Sequence, residues 1–224
     1  PWVLGLAYRL LGPSLQVAAG LGLGLETLTA CLLVKLARRL SASTPWAVAA
    51  ALAYAFYPRS IVYATLTMPT TLNVLLVTAL AWALAGPGPR TPRAVVGTGL
   101  LACLTGFGYP AVWPSLLLIT AVRWIRPHDP DRRPALWMLL TALLTALPVV
   151  VHNTRAEGHL TFLTTHGGIN FYMGNHDRAT GYPLRIRNFR LTAQEMLEDA
   201  HRAAEQETGR ILTRTQSSAW WSDQ

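Results

Sequence analysis

The sequence predicts a mainly α protein: a polytopic membrane helical bundle of about six spans, some short or broken, followed by a small mixed exterior segment. Three observations carry this expectation. Of 224 residues, 51% are hydrophobic and only 13% are charged, about half the charged share of an ordinary soluble domain. The apolar residues are gathered into runs punctuated by Gly, Pro and Arg. The charge is also unevenly placed. Residues 1–151 hold eleven Lys or Arg against Glu26, Asp129 and Asp131, which accounts for the whole formal charge of +8, while residues 152–224 hold eight Arg against eight acids. Residues 1–151 are therefore expected to form the transmembrane region and 152–224 the exterior segment.

The elements follow in order. Trp2 to Leu11 reads as an amphipathic or interfacial helix stopped by Gly12-Pro13. Ser14 to Leu36 is the first clear span, long enough to cross about 30 Å of hydrocarbon, and Lys35, Arg38 and Arg39 close it. Trp46 to Tyr57 is apolar but short and breaks at Pro58-Arg59, whereas Ile61 to Ala85 reads as one long run. A loop from Gly86 to Arg93 leads into two short runs, Ala94 to Phe107 and Ala111 to Ile125, separated by Gly108-Tyr109-Pro110. A polar loop from Arg126 to Arg133 precedes the last span, Leu136 to Val151. Short runs of this kind can also be broken or re-entrant helices lining a polar cavity.

Alternate loops differ in charge. One set carries Lys35, Arg38, Arg39, Arg90, Arg93, Arg123, Arg126, Arg132 and Arg133, and the other only Arg9 and Arg59. Basic residues favour the cytoplasmic side, so the first set is expected there, with residues 152 onward on the non-cytoplasmic side of the membrane. In the exterior segment, Leu160 to Thr165 and a stretch through Phe171 and Tyr172 read as two short strands around a glycine turn. Thr192 with Glu195 and Thr213 with Gln216 read as capping boxes opening two helices, the first running through Glu207 to a stop at Gly209. Trp220 and Trp221 read as a return to the membrane interface. The chain begins without Met and ends within a helical pattern, so it reads as an internal piece of a longer protein.

Several chemistries find no pattern here. No basic face is interleaved with aromatics, which argues against nucleic acid as a partner. Cys31 and Cys103 each lie inside an apolar run and suggest neither a disulfide framework nor a metal motif. His152, His159, His166 and His176 are spaced by seven, seven and ten, which matches no common ligand spacing. No cofactor is implied, with a divalent metal left open. The Gly20 to Gly24 repeat lies inside a span with no strand before it, so close helix packing explains it better than a nucleotide loop. Glu26 lies at membrane depth, where an ionisable residue is a functional candidate; Thr27, Thr29 and facing helices offer it structural partners instead.

The densest stretch of turn chemistry is Thr164 to Asn175, TTHGGINFYMGN. Adjacent glycines leave backbone N–H groups open, and Asn can bond a ligand, so this reads either as a close approach to a polar ligand or as a tight surface hairpin. This segment belongs to a longer series. Tyr8 to Pro13 resembles a YRLFGP-like start, Leu36 to Arg39 an LLARR-like helix end, and Tyr57-Pro58 a YPP-like break. His152-Asn153-Thr154 to Gly158 resembles an RNY-x-x-x-G stretch, Thr164 to Asn175 an STNGGxNxxxGN segment, and residues 208–221 a G-x-x-L-T-x-x-x-x-S-x-Y-W close. Together these resemble the bacterial polyprenyl-phosphate-sugar-dependent glycosyltransferases of the GT-C superfamily, in their protein-mannosyltransferase-like branch.

That resemblance implies a membrane enzyme moving a sugar from a polyprenyl-phosphate carrier to an acceptor at the outer membrane face. Its partners would be membrane lipid and the lipid-linked sugar donor. The catalytic base it implies is an Asp in a loop preceding Pro1. Arg59, His152, Asn153, Arg155, His166, Gly167, Gly168, Asn170 and Asn175 are the implied substrate- and lipid-phosphate-binding positions. Three positions depart from the family pattern: Thr70 stands where an acid is usual, and Tyr109 and His152 stand where Arg is usual. Lost charge at a site for a leaving phosphate favours the alternative, a catalytically inactive paralogue or a non-enzymatic membrane protein such as a transporter or assembly partner.

Overall fold

The expected apolar runs contain helices, only two of which are clearly of membrane-spanning length. In the computed structural model, residues 2–65, 70–85, 91–126, 128–158, 160–162, 166–176, 179 and 193–224 are described. They form eleven helices and, among the described residues, no strand. Two helices, α2 (Leu15–Arg39) and α8 (Arg132–Glu157), are long and apolar enough to cross a membrane. At about 1.5 Å per residue each exceeds 30 Å. The others are shorter: α1 (Trp2–Leu11), α3 (Thr44–Ala55), α4 (Pro58–Thr65), α5 (Thr70–Leu84), α6 (Pro92–Gly108) and α7 (Val112–Ile125). Within the long run expected from Ile61 to Ala85, α4 ends at Thr65 and α5 begins at Thr70, and residues 66–69 lie outside the described residues.

The helix ends follow local chemistry. Gly12, at φ +85°, ends α1 with its N–H on the Tyr8 carbonyl. Ser14 opens α2 by accepting the Val17 N–H at 3.2 Å, and Arg38 and Arg39 sit in its last turn, where cations meet the negative end of the helix dipole. Thr91 opens α6 by accepting the Ala94 N–H at 3.3 Å. Pro58 starts α4, where its missing N–H costs nothing.

The chain divides into two units, Pro1–Ala146 and Leu147–Gln224, with the boundary inside α8. In the first unit α2 is the hub, packing on α1, α3, α4 and α5. Small residues make this possible. A Cβ on Gly22 would lie 1.9 Å from the Ala64 carbonyl oxygen of α4, whereas Gly20 and Gly24 face open space. Only the middle of the glycine repeat is therefore a packing position. Gly99 of α6 meets Met138 and Thr141 of α8, and Gly106 meets the Trp113 indole.

The core of this unit mixes many alanines with a few large side chains, Leu80, Trp113, Leu116, Met138 and Leu139. Ala18, Ala47, Ala51, Ala64, Ala102, Ala142 and Ala146 are buried, while Leu23, Leu28, Trp46, Leu118 and Leu144 are exposed. Only 11% of the apolar window of α2 and 28% of that of α8 is buried. Small residues at helix contacts let the backbones approach closely. At mid-length of α2, the Tyr54 hydroxyl of α3 donates to the Glu26 carboxylate. Thr27 and Thr29 donate instead to carbonyls of their own helix, at 2.8 and 2.9 Å.

The second unit contains the end of α8, α9 (Gly167–Asn175), α10 (Ala193–Thr208) and α11 (Arg214–Ser222). Gly209, at φ +64°, lies just beyond α10, as expected for the stop. The Thr213–Gln216 capping box forms, with reciprocal bonds of 2.8 and 3.3 Å; Thr192 lies outside the described residues. Two expectations are corrected. Phe171 and Tyr172 are helical, not in a strand; Leu160, Thr161 and Phe162 are neither helix nor strand, and residues 163–165 lie outside the described residues. Trp221 is a core residue rather than a membrane-interface anchor: it is buried with Ile169, Ala200 and Ala204, and its indole N–H donates to the Ala200 carbonyl at 3.0 Å. Trp220 packs edge-on against it.

Candidate functional site

The helix at α9 forms against propensity, since each of its three glycines disfavours helix by about 1 kcal/mol relative to Ala. Packing reverses the preference. Ile169 and Tyr172, three residues apart, turn to the Trp221 cluster, while Phe171 is exposed. Gly168 lets the helices touch: a Cβ there would lie 1.6 Å from the Ser218 carbonyl oxygen. Its N–H donates to Ser218 Oγ at 2.8 Å. The glycine expected to open backbone to a ligand therefore opens it to another helix.

Beside that contact, α9, α10 and α11 enclose a cavity of about 200 Å³ with His166 at its edge. Two helical stripes line it. Glu198, His201, Arg202 and Glu205 come from α10, and Arg214, Ser217, Ser218 and Trp221 from α11. Both sets follow the i, i+3, i+4, i+7 spacing that puts side chains on one helix face. His201 Nε2 lies 3.6 Å from Glu205 Oε1, and Glu205 also accepts the Leu212 N–H at 3.0 Å, which ties the α10–α11 turn. His201 Nδ1 is buried and, among the described residues, has no hydrogen-bond partner. Burial, helped by the positive charge of Arg214 and opposed by Glu157, holds the His166 pKa below the usual histidine value. Its imidazole is thus kept neutral, with one donor and one acceptor nitrogen.

This arrangement gathers two guanidinium groups, two imidazoles and two hydroxyls against two carboxylates. It can hold a small polyhydroxy or anionic group through several hydrogen bonds at once. At about 200 Å³ it is smaller than the ~300–1,000 Å³ of typical ligand sites, so it fits only a small group.

The structure brings some of the expected residues together. His166 lines the cavity, and Gly168 is buried beneath it. Gly167, Asn170 and Asn175 are exposed on α9 outside the cavity lining, and Asn175 Nδ2 donates to the Phe171 carbonyl at 2.8 Å, a helix-end role. His152 and Arg155 are exposed and Asn153 half-buried in the last turns of α8. Thr154 accepts the Thr161 N–H at 3.2 Å, which holds the chain leaving that helix. Arg59 is exposed at the start of α4 in the first unit. His201, Arg202, Arg214, Ser217 and Ser218 were not anticipated; the two four-residue stripes were the signal that marks them. Among the described residues, no three His, Cys, Asp or Glu side chains group to hold a metal, and His159 lies outside them.

The fold itself defines a mainly helical protein with two helices long and apolar enough to cross a membrane. Comparisons with protein-family models, curated proteins and solved structures match nothing to this chain.

Proposed function

We propose that this chain is part of an integral-membrane glycosyltransferase that moves a sugar from a polyprenyl-phosphate carrier to an acceptor at the outer face of the membrane. The observation that carries the reading is the cavity at His166, where the segment resembling STNGGxNxxxGN begins and where Arg202 and Arg214 converge. In this reading α9 to α11 lie outside the membrane, and Arg214, Arg202 and neutral His166 bind the sugar or its phosphate. The two membrane-length helices and the low burial of their apolar windows support membrane integration. Arg59, His152 and Arg155 remain candidate contacts for the carrier phosphate. The base implied by the resemblance lies before Pro1.

The test is sugar transfer from a polyprenyl-phosphate donor by the full-length protein in liposomes. Losing a charged hydrogen bond to the donor removes about 1.5–3 kcal/mol, so Arg214→Gln should lower kcat/KM about ten- to hundredfold with the helix content unchanged. Transfer at the parental rate in that variant refutes the assignment.

A second reading, a catalytically inactive paralogue or non-enzymatic membrane protein, is favoured by one observation. The Gly168 N–H is already taken by Ser218, so the most distinctive motif glycine has a sufficient packing role. An upstream loop without any carboxylate, together with no transfer by the full-length protein, would establish this reading over the first.

A further inference from the structure

The loop joining α7 to α8 holds more cations than its own carboxylates engage. Arg123 Nη1 lies 2.8 Å from Asp131 Oδ2 and 3.8 Å from Asp129 Oδ1, and Asp129 also accepts the Asp131 N–H at 2.8 Å. The Arg132 guanidinium lies over the Trp124 ring, 6.0 Å from its centroid. Arg126 and His128 are exposed, and among the described residues neither has an ion-pair partner. From 123 to 133 the count is four Arg against two Asp, a surplus of +2.

These two groups sit at the polar end of a groove of about 560 Å³ that continues along α7; Asp129 and Asp131 line the same end, both within 4 Å of Arg123, so Arg126 and His128 are its cationic groups not engaged by them. Leu118, Val122 and Arg126 recur every fourth residue, so one stripe of the helix is apolar for two turns and then cationic. Leu118 is 64% exposed and Trp124 55%. An apolar wall that ends in a guanidinium with no ion-pair partner among the described residues has the profile of an amphiphile site at the edge of a bilayer. A soluble anion would use only the basic end, and a neutral lipid only the wall.

We propose that the α7–α8 loop binds an anionic phospholipid, with its phosphate on Arg126 and His128 and an acyl chain along Leu118 and Val122. The proposal rests on the membrane part of the reading above and not on its transferase part.

The experiment is native mass spectrometry of the full-length protein in neutral detergent, titrated with phosphatidylglycerol or with phosphatidylcholine of the same chains. The wild type should prefer phosphatidylglycerol. Arg126→Gln should weaken that binding about fivefold, as removal of one basic group near a membrane surface predicts, while Arg126→Lys should retain it. Val122→Glu, at an exposed position on the same stripe, should weaken it without touching the cation. Equal occupancy by both lipids, or unchanged phosphatidylglycerol binding in Arg126→Gln, overturns the proposal. Displacement by inorganic phosphate alone also overturns it, in favour of a free-anion site, and displacement by an acidic peptide does so in favour of a protein partner. Retention in membranes after an alkaline wash is measured in parallel. A protein released by the wash refutes the membrane reading, whereas one retained without lipid preference refutes only this site.

Discussion

Replacing Gly168 by alanine adds one methyl group where a backbone already stands. The new Cβ would lie 1.6 Å from the Ser218 carbonyl oxygen, against the 3.4 Å at which ordinary contact begins, so α9 and α11 must separate by about 2 Å. Three effects combine. Alanine favours helix over glycine by about 1 kcal/mol. The bond from the Gly168 N–H to Ser218 Oγ, worth about 1 kcal/mol, is lost and offsets that gain. Overpacking of the Ile169–Trp221 contact then leaves a net destabilisation of about 1–3 kcal/mol. In hydrogen–deuterium exchange of the full-length protein, amides of α9 and α11 should exchange roughly 5- to 150-fold faster. Gly167→Ala is the control: its Cβ meets nothing within 4 Å, so it should leave exchange unchanged or slow it. Equal protection in the two variants would refute the claim that Gly168 exists for helix contact.

Other outcomes follow from the same contacts. Trp221→Ala should destabilise the α9–α11 unit by about 3–5 kcal/mol, while Trp221→Phe, which mainly forfeits the bond to the Ala200 carbonyl, should lose about 1 kcal/mol; both are read as exchange protection in α10. Thr213→Ala removes the capping box and should destabilise α11 by about 0.5–2 kcal/mol, visible as faster exchange confined at first to its N-terminal turn. Gly22→Ala should lower the thermal inactivation temperature of the protein in detergent, whereas Gly20→Ala should not, since only Gly22 abuts Ala64. For His166, whose folded pKa is lowered, the unfolded chain takes up the proton first. Stability is therefore fully present above the unfolded value of about 6.5 and is lost as pH falls from there through the folded value. Protection of α9 and α11, taken relative to the intrinsic exchange rate at each pH, should fall as pH drops below about 6.5, and His166→Gln should flatten that dependence.

Much of the helical order could be read directly. Gly12-Pro13, Pro58 and Gly209 mark helix boundaries because their backbone restrictions act locally, without help from packing. The Thr213 capping box is equally local. Span lengths were less legible: Thr65, Thr67, Pro69, Thr70, Thr71 and Asn73 interrupt the apolar residues between Ile61 and Ala85, and these local breakers, rather than mean hydropathy, are the signal that goes with α4 ending at Thr65 and α5 beginning at Thr70. The strand expected at Phe171-Tyr172 failed because glycine-rich sequence argues against helix, while Ile169, Tyr172 and Trp221 supply a burial that only the folded unit contains. Trp220-Trp221 likewise fits a membrane belt by composition, and its core role depends on α10, whose Leu197, Ala200 and Ala204 face it. The cavity residues on α10 and α11 were recoverable from spacing in principle. Their pairing into one site required knowing that the two helices face each other.

The bond between Gly168 and Ser218 joins residues fifty positions apart, and this sets an order of events during synthesis. At about 5–20 residues per second, roughly 3–10 s separate the emergence of α9 from that of the helix it needs. Through that interval a nine-residue segment with three glycines has neither the length nor the propensity to hold itself helical. Ile169 and Tyr172 remain uncovered until α11 arrives. A stall or truncation just before residue 214 would therefore release a chain whose motif is intact in sequence but lacks the helix against which Gly168 packs.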